Sequence, residues 1–247
     1  MKRFAVVAIV LGLAVLALAA HYIPSAFADD DDRERVKIFD RNSVVYGRTY
    51  SDWNAAWQQW ADSIPTTKHP LFDNGDCSVG QSGPVWFLGG KFVAVGGTAD
   101  FGHIVRYCNV PAGKALYVAI YNAEDSVIEE ATPGSNHFTQ IGELRAAAAY
   151  VMDLVTDLSM QVDTENVRDI KERFRMQSSA FGFTLPADNF FSAIGEGPFK
   201  AGTYFPGVDD GYYVMVAPLP IGHHTIHFHG TAGPYVQDVT YHIYVYR

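Results

Sequence analysis

The chain has little positive charge and only two cysteines among its 247 residues. Eighteen lysines and arginines stand against 27 aspartates and glutamates, which gives a formal net charge of −9 at pH 7. Nucleic acids and anionic lipid surfaces are bound through clustered positive charge, so this balance argues against both as partners.

Several motifs of common enzyme classes are also absent. No Gly-x-Ser-x-Gly nucleophile elbow occurs, and the segment Gly89-Gly90-Lys91 lacks the frame of a phosphate-binding loop. If the two cysteines are joined, no thiol is left for a cysteine nucleophile. The sequence therefore favours a protein without enzymatic activity but does not settle the question.

The one long apolar run lies at the N-terminus. Two basic residues precede it, it extends from Phe4 to Ala20, and small residues follow at Ala26 and Ala28, the spacing that signal peptidase recognises. We expect residues 1–28 to be a signal peptide that is removed on export. An uncleaved N-terminal anchor is the alternative, because a membrane span needs about 17–25 apolar residues.

Removal of this segment takes away two basic residues and no acidic one, which moves the net charge to −11. Residues 29–35 are then an acidic flexible tail, and no membrane span remains. The predicted location is periplasmic, extracellular or on the cell surface. In such an oxidising compartment Cys77 and Cys108 most simply form a disulfide, although two buried thiols or a metal pair are alternatives.

Short runs rich in aromatic and β-branched residues, separated by glycine and proline, predict many strands in residues 36–247. These runs cover residues 36–39, 84–88, 91–95, 103–108, 115–121, 180–185, 211–219, 221–228 and 238–246. We predict one mainly β domain, an antiparallel β-sandwich or jelly-roll-like α+β fold.

A helix is expected before these strands, capped by Ser51 and ending near Ser63. Its residues Trp53, Trp57 and Trp60 fall on one face, which predicts packing onto a sheet. A sugar-stacking platform is the alternative use of three aligned tryptophans.

A helical insert is expected at about residues 139–175. Ile141, Leu144, Val151, Val155 and Leu158 recur at helical spacing and predict one amphipathic helix. A shorter helical stretch is expected around residues 166–174.

Four histidines invite a metal hypothesis. On the strand Gly222–Gly230, side chains alternate between faces, so His223, His227 and His229 share the polar face. If the next strand pairs with matched faces, His242 joins them. The candidate metal ligands are His227, His229 and His242, with His223 as a further candidate, and imidazoles suit zinc or copper. The alternative is an ordinary solvated strand face.

Two acidic pairs, Glu124-Asp125 and Glu129-Glu130, follow the strand at residues 115–121. They suggest a carboxylate pair for glycoside cleavage or a calcium site. Neither a glycosidase motif nor an EF-hand frame accompanies them, so a solvated acidic loop is the favoured interpretation.

Long motifs give a resemblance that covers most of the mature chain. They are Trp53-Asn-Ala-Ala-Trp-Gln-Gln-Trp60, Ser63-Ile-Pro65, Cys77-Ser-Val-Gly-Gln-Ser-Gly-Pro-Val-Trp-Phe-Leu88, Cys108-Asn-Val-Pro-Ala-Gly-Lys-Ala-Leu116 and Arg175-Met-Gln-Ser178. With them the chain resembles a family of exported prokaryotic proteins to which no activity is assigned. The resemblance implies export and does not imply a reaction.

The functional expectation is an exported, non-enzymatic protein that binds a small ligand or a component of the cell surface. Two alternatives stay open. One is a histidine-coordinated zinc or copper protein that acts as a hydrolase or lyase, and the other is a carbohydrate-binding module that uses the three tryptophans.

Overall fold

The computed structural model describes residues 36–73, 75–92 and 102–247, and strands dominate this part of the chain. The predicted signal peptide, the predicted acidic tail and residues 93–95 of one predicted strand lie outside the described residues. Among the described residues, no helix is both long enough and apolar enough to cross a membrane.

In the described part of the chain, ten strands form two five-stranded sheets, and both sheets contribute residues to the main hydrophobic core. The first sheet has the order β1-β3-β8-β6, and β7 also pairs with β8. Its strands are β1 (Val85–Gly89), β3 (Ala115–Ser126), β6 (Arg175–Gln177), β7 (Phe181–Leu185) and β8 (Gly202–Val216). The second has the order β2-β10-β9-β4-β5. Its strands are β2 (Ile104–Pro111), β4 (Val155–Val162), β5 (Glu165–Asn166), β9 (Gly222–Ala232) and β10 (Tyr235–Tyr246).

The predicted mainly β fold with helical elements is confirmed, but the sheets are mixed and not purely antiparallel. β1 pairs with β3 in parallel, and β2 pairs with β10 in parallel. A parallel pair needs a crossover between its strands, and β2, which lies in the other sheet, provides the crossover from β1 to β3.

Among the described residues, four α-helices accompany the sheets: α1 (Tyr50–Asp62), α2 (Ile141–Asp153), α3 (Ile170–Arg173) and α4 (Phe190–Ala193). Helix α1 begins one residue before the predicted cap, and Thr49 replaces Ser51 in that role. Thr49 Oγ1 accepts the Asp52 amide at 3.2 Å, while the Asp52 carboxylate accepts the Thr49 amide at 3.1 Å. This reciprocal capping box satisfies two backbone donors that the helix itself leaves free.

The three tryptophans of α1 are buried, at 5%, 1% and 6% exposure for Trp53, Trp57 and Trp60. Their indole nitrogens donate to the backbone oxygens of other segments, for example from Trp57 to Leu88 at 2.9 Å. The predicted packing of this face is confirmed. The alternative prediction, a sugar-stacking platform built from these three rings, is wrong, because stacking on a polysaccharide requires exposed rings.

The predicted helical insert contains strands. Helix α2 ends at Asp153, so Val155 and Leu158 belong to β4 and not to a continuous helix. Strand β4 pairs with β9 in the second sheet, and this long-range pairing overrides the local helical spacing. Of the second predicted helical stretch, only α3 is helical, between β5 and β6.

The disulfide between Cys77 and Cys108 is present, with 5.7 Å between the two Cα atoms. It ties the turn at Cys77 to β2. At residues 36–39 the predicted strand is reduced to one bridge between Ile38 and Val216, and Lys91 and Phe92 lie outside any strand.

Candidate functional site

A cavity of about 430 Å³ opens beside the second half of β3. The turn between β9 and β10, the end of α2, helix α4 and the segment at residues 90–92 also contribute to its wall. Small-molecule sites typically measure about 300–1,000 Å³ and combine apolar walls with a few polar groups. This cavity has both properties.

The apolar part of the wall is aromatic. Phe92 stacks on Phe190 with ring centroids 4.6 Å apart, and Phe190 contacts Phe191 at 4.0 Å. Asn189 holds α4 in place, because its side chain accepts the Ser192 amide at 3.2 Å and donates to a distant backbone oxygen. The short helix therefore presents a fixed pair of rings to the cavity.

The polar part of the wall is a chain of three glutamates. Glu124 lies on β3, Glu129 follows the end of β3, and Glu196 follows α4. The charge of Glu129 acts on Glu124, and the charge of Glu196 acts on Glu129, so the three carboxyl groups lie close together. Ser126 Oγ donates to Glu129 at 2.7 Å.

Burial and mutual repulsion keep these groups protonated. Although Glu124 and Glu129 are only partly buried as whole residues, their carboxyl groups are enclosed by protein. Loss of solvent raises the pKa of each well above its usual range, and the neighbouring negative charges raise it further. Burial likewise raises the pKa of Glu196.

The favoured interpretation of this segment as a solvated acidic loop is therefore wrong. Asp125 and Glu130 are buried too, at 8% and 7% exposure. Burial, followed by the charge of Glu130, raises the pKa of Asp125 to about 7. Helix α4 and the residues that follow it cover this segment and remove its side chains from water. The local amino-acid composition does not predict this covering.

A second polar cluster adjoins the cavity through Gln58 and Asn122, which line it. Gln58 Nε2 donates to Asp62 at 2.9 Å, and Asn122 Nδ2 donates to Asp209 at 2.9 Å. Tyr213 donates its hydroxyl to the other Asp209 oxygen at 3.0 Å. Burial raises the pKa of Asp209 to about 8 and that of Asp62 well above its usual range.

The carboxyl groups of the cavity wall are close together and enclosed by protein. No three acidic or histidine side chains at the cavity converge on a common point, as far as the described residues show. The cavity wall offers hydrogen-bonding carboxyls and aromatic surface.

A buried arginine fixes the segments on one side of the cavity. Arg106, 8% exposed, donates to Asp73 at 2.7 Å, to the Gly89 oxygen at 2.8 Å and to the Tyr241 hydroxyl at 2.7 Å. Next to it, the Gln237 side chain accepts the Lys91 amide at 2.9 Å and donates to the Lys91 oxygen at 2.6 Å. These contacts hold residues 90–92 in the cavity wall.

The predicted common face of the histidine strand is observed. In the antiparallel register of β9 and β10, His227 lies opposite Thr240 and His242 lies opposite Thr225, so their side chains share one face. His229 is also on that face and contacts the Thr231 hydroxyl at 3.1 Å.

The ligand atoms of these histidines are nevertheless not brought together. His242 stacks on Tyr107 at 5.0 Å, and His223 contacts the Tyr244 ring at 4.8 Å. Within the described residues, one group of three potential metal ligands has its ligand atoms within 4.8 Å of one another: His103, His227 and Asp238. Only His227 of the predicted ligands belongs to that group.

Comparison with known proteins gives no relative: no family model, no curated protein and no solved structure matches the chain.

Four residues that matter at these sites carry no local signal in the sequence: His103, Arg106, Glu196 and Asp209. Each acquires its role from a partner on a distant strand or helix. The usable signals were the acidic pairs at residues 124–125 and 129–130 and the histidine His227.

Proposed function

We propose that the chain is an exported ligand-binding protein whose cavity holds a small, mainly apolar molecule with a hydrogen-bond-donating head, of which an organic amine is the best fit. The observation that carries this proposal is the composition of the cavity wall, which combines three glutamate side chains with the rings of Phe92, Phe190 and Phe191.

A donor group on a bound ligand would hydrogen-bond the glutamates of the wall, and a hydrogen bond to a charged group contributes about 1.5–3 kcal/mol. The rings of Phe92, Phe190 and Phe191 would then cover the apolar remainder of the ligand, at about 25 cal/mol for each Å² removed from water. Together these groups favour a molecule with one polar end and an aromatic or aliphatic body.

The charge of the wall favours an amine over an acid. Three glutamates line the cavity, and Lys91, which also lines it, pairs with Asp73 at 2.9 Å. An ammonium group would stabilise the ionised form of these glutamates, so binding should release protons. A carboxylate ligand would make their ionisation still less favourable, so it should bind more weakly than the amine.

Export is supported by the sequence features at residues 1–28 and by the Cys77–Cys108 disulfide, since disulfides persist in oxidising compartments.

The test is calorimetric titration with three ligands that share one arylalkyl skeleton and end in an amine, an alcohol or a carboxylate. We expect the amine to bind most tightly and to release protons, measured by comparing buffers of different ionisation enthalpy. Glu124→Gln should weaken amine binding about tenfold or more, because hydrogen bonds to charged groups contribute about 1.5–3 kcal/mol. The matched control is Glu172→Gln, an exposed glutamate on α3 that should leave binding unchanged.

A second variant probes the apolar part without touching a carboxyl. Val151 lines the cavity from α2 and is 39% exposed, so Val151→Trp can fill space without disturbing the core. It should abolish binding of the larger members of a homologous amine series first. Equal binding of the amine and the carboxylate, or unchanged amine binding by Glu124→Gln, would contradict the proposal.

A further inference from the structure

We propose that the outer face of the second sheet binds one divalent transition-metal ion, of which zinc is the best fit, through His103, His227 and Asp238. This site is separate from the cavity and differs from the histidine set predicted from the sequence. In this site, Asp238 on β10 and His103, which immediately precedes β2, take the places of His229 and His242.

The ligand atoms already stand near the spacing that a metal ion requires. Asp238 Oδ1 lies 2.7 Å from His227 Nε2 and 3.2 Å from His103 Nδ1. Zinc bonds to nitrogen and oxygen measure about 2.0–2.2 Å, so two ligands of a tetrahedral ion are about 3.3 Å apart. Small side-chain movements therefore suffice for all three atoms to reach one ion.

Strand pairing explains why these residues meet. The parallel register sets Val239 of β10 beside Ile104 of β2, which places Asp238 next to His103. The antiparallel register sets Thr240 beside His227, which places His227 diagonal to Asp238. Three adjacent stretches of one hydrogen-bonded sheet thus hold the three ligands, and the backbone needs no rearrangement to bring them together.

The surroundings favour a cation. Two imidazoles and one carboxylate form a donor set that suits zinc. The strand partners of His227 are Thr240 and Gln161, and Asp238 lies opposite His229, so no lysine or arginine stands at these paired positions. The side chains of His103, His227 and Asp238 are 48%, 38% and 32% exposed, which leaves an ion open to solvent on one side.

The experiment is titration of the chelator-treated protein, carrying no histidine tag, with zinc chloride. We expect one zinc ion per chain. His103→Ala and Asp238→Asn should each weaken zinc binding at least about tenfold, since even outer partners of metal ligands contribute about 10- to 100-fold. The matched control is His242→Ala, which removes an exposed histidine from the same face and should leave the affinity unchanged.

Anomalous diffraction from crystals grown with zinc provides a readout that needs no variant, and the density should lie between the three side chains. Zinc binding with equal affinity by wild type, His103→Ala and Asp238→Asn would overturn the proposal. So would binding of less than one zinc ion per chain by the wild type. Loss of zinc in His242→Ala but not in His103→Ala would instead assign the metal to His227, His229 and His242.

Discussion

Replacement of Asp209 by asparagine should make the protein less sensitive to rising pH. The Asp209 side chain is enclosed by protein, where it accepts hydrogen bonds from Asn122 and Tyr213. Burial raises its pKa to about 8, so the folded protein carries a protonated Asp209 at neutral pH. Asparagine has the same shape as the protonated acid and keeps an oxygen for the Asn122 amide.

The magnitude follows from proton linkage. Below the pKa of an aspartate in the unfolded chain, near 4, both states hold the proton and stability does not change with pH. Between that value and about 8, the folded state binds one proton more than the unfolded state. The free energy of unfolding therefore falls as the pH rises, by about 1.4 kcal/mol per pH unit for this one group. From pH 5 to pH 7 the loss is about 2.7 kcal/mol.

The assay is urea denaturation of wild type and Asp209→Asn at pH 5, 6 and 7 with the disulfide intact. The free energy of unfolding of the variant, relative to wild type, should increase by about 2.7 kcal/mol over this range. Asp157→Asn is the control, because Asp157 is exposed and its charge stays in water in both states. A difference between wild type and Asp209→Asn that does not change with pH would refute the reasoning.

Two further variants test the scaffold around the sites. Arg106→Ala should lower the free energy of unfolding by about 1–3 kcal/mol, because the buried Leu71 oxygen and Tyr241 hydroxyl lose the donor that Arg106 supplies. The exposed Arg168→Ala should have little effect. Equal urea midpoints for the two variants would show that the arginine network is not needed. Thr49→Ala should lower the free energy of unfolding by about 1 kcal/mol, because it removes the capping box with Asp52. Urea denaturation measures this loss, and a loss below the error of the method would mean that water replaces the cap.

The sequence was sufficient where a pattern is local. Alternation in the last two strands assigns Ile226, Phe228, Val239 and Tyr241 to one face, and all four are buried. This works because a strand with one face against the core repeats every two residues, so neighbouring positions report directly on burial. The disulfide was equally predictable, since the chain has only two cysteines.

Prediction from the sequence failed where pairing with a distant segment determines the secondary structure. Val155 and Leu158 fit a helical repeat, but residues 155–162 pair with β9 and become β4. A short apolar pattern is compatible with both structures, and only the available strand edge selects one.

Burial of the acidic groups was hidden for the same reason. Glu124 and Glu129 are buried because Glu196 and the rings of α4 cover them. No residue near them in the sequence predicts this burial. The metal ligands show the same dependence, because His103 meets Asp238 only through the parallel pairing of β2 with β10.

Strand β10 connects the two proposed sites and also keeps them apart. Gln237 is buried and lines the cavity, whereas the next residue, Asp238, is directed to the outer face and contacts His227. Because side chains alternate along a strand, a change at one of these positions need not disturb the other. Each proposal therefore supplies the control for the other: Glu124→Gln should bind zinc as the wild type does, and Asp238→Asn should bind the amine as the wild type does. If either variant lost both activities, the two sites would not be independent, and the separation argued from β10 would be wrong.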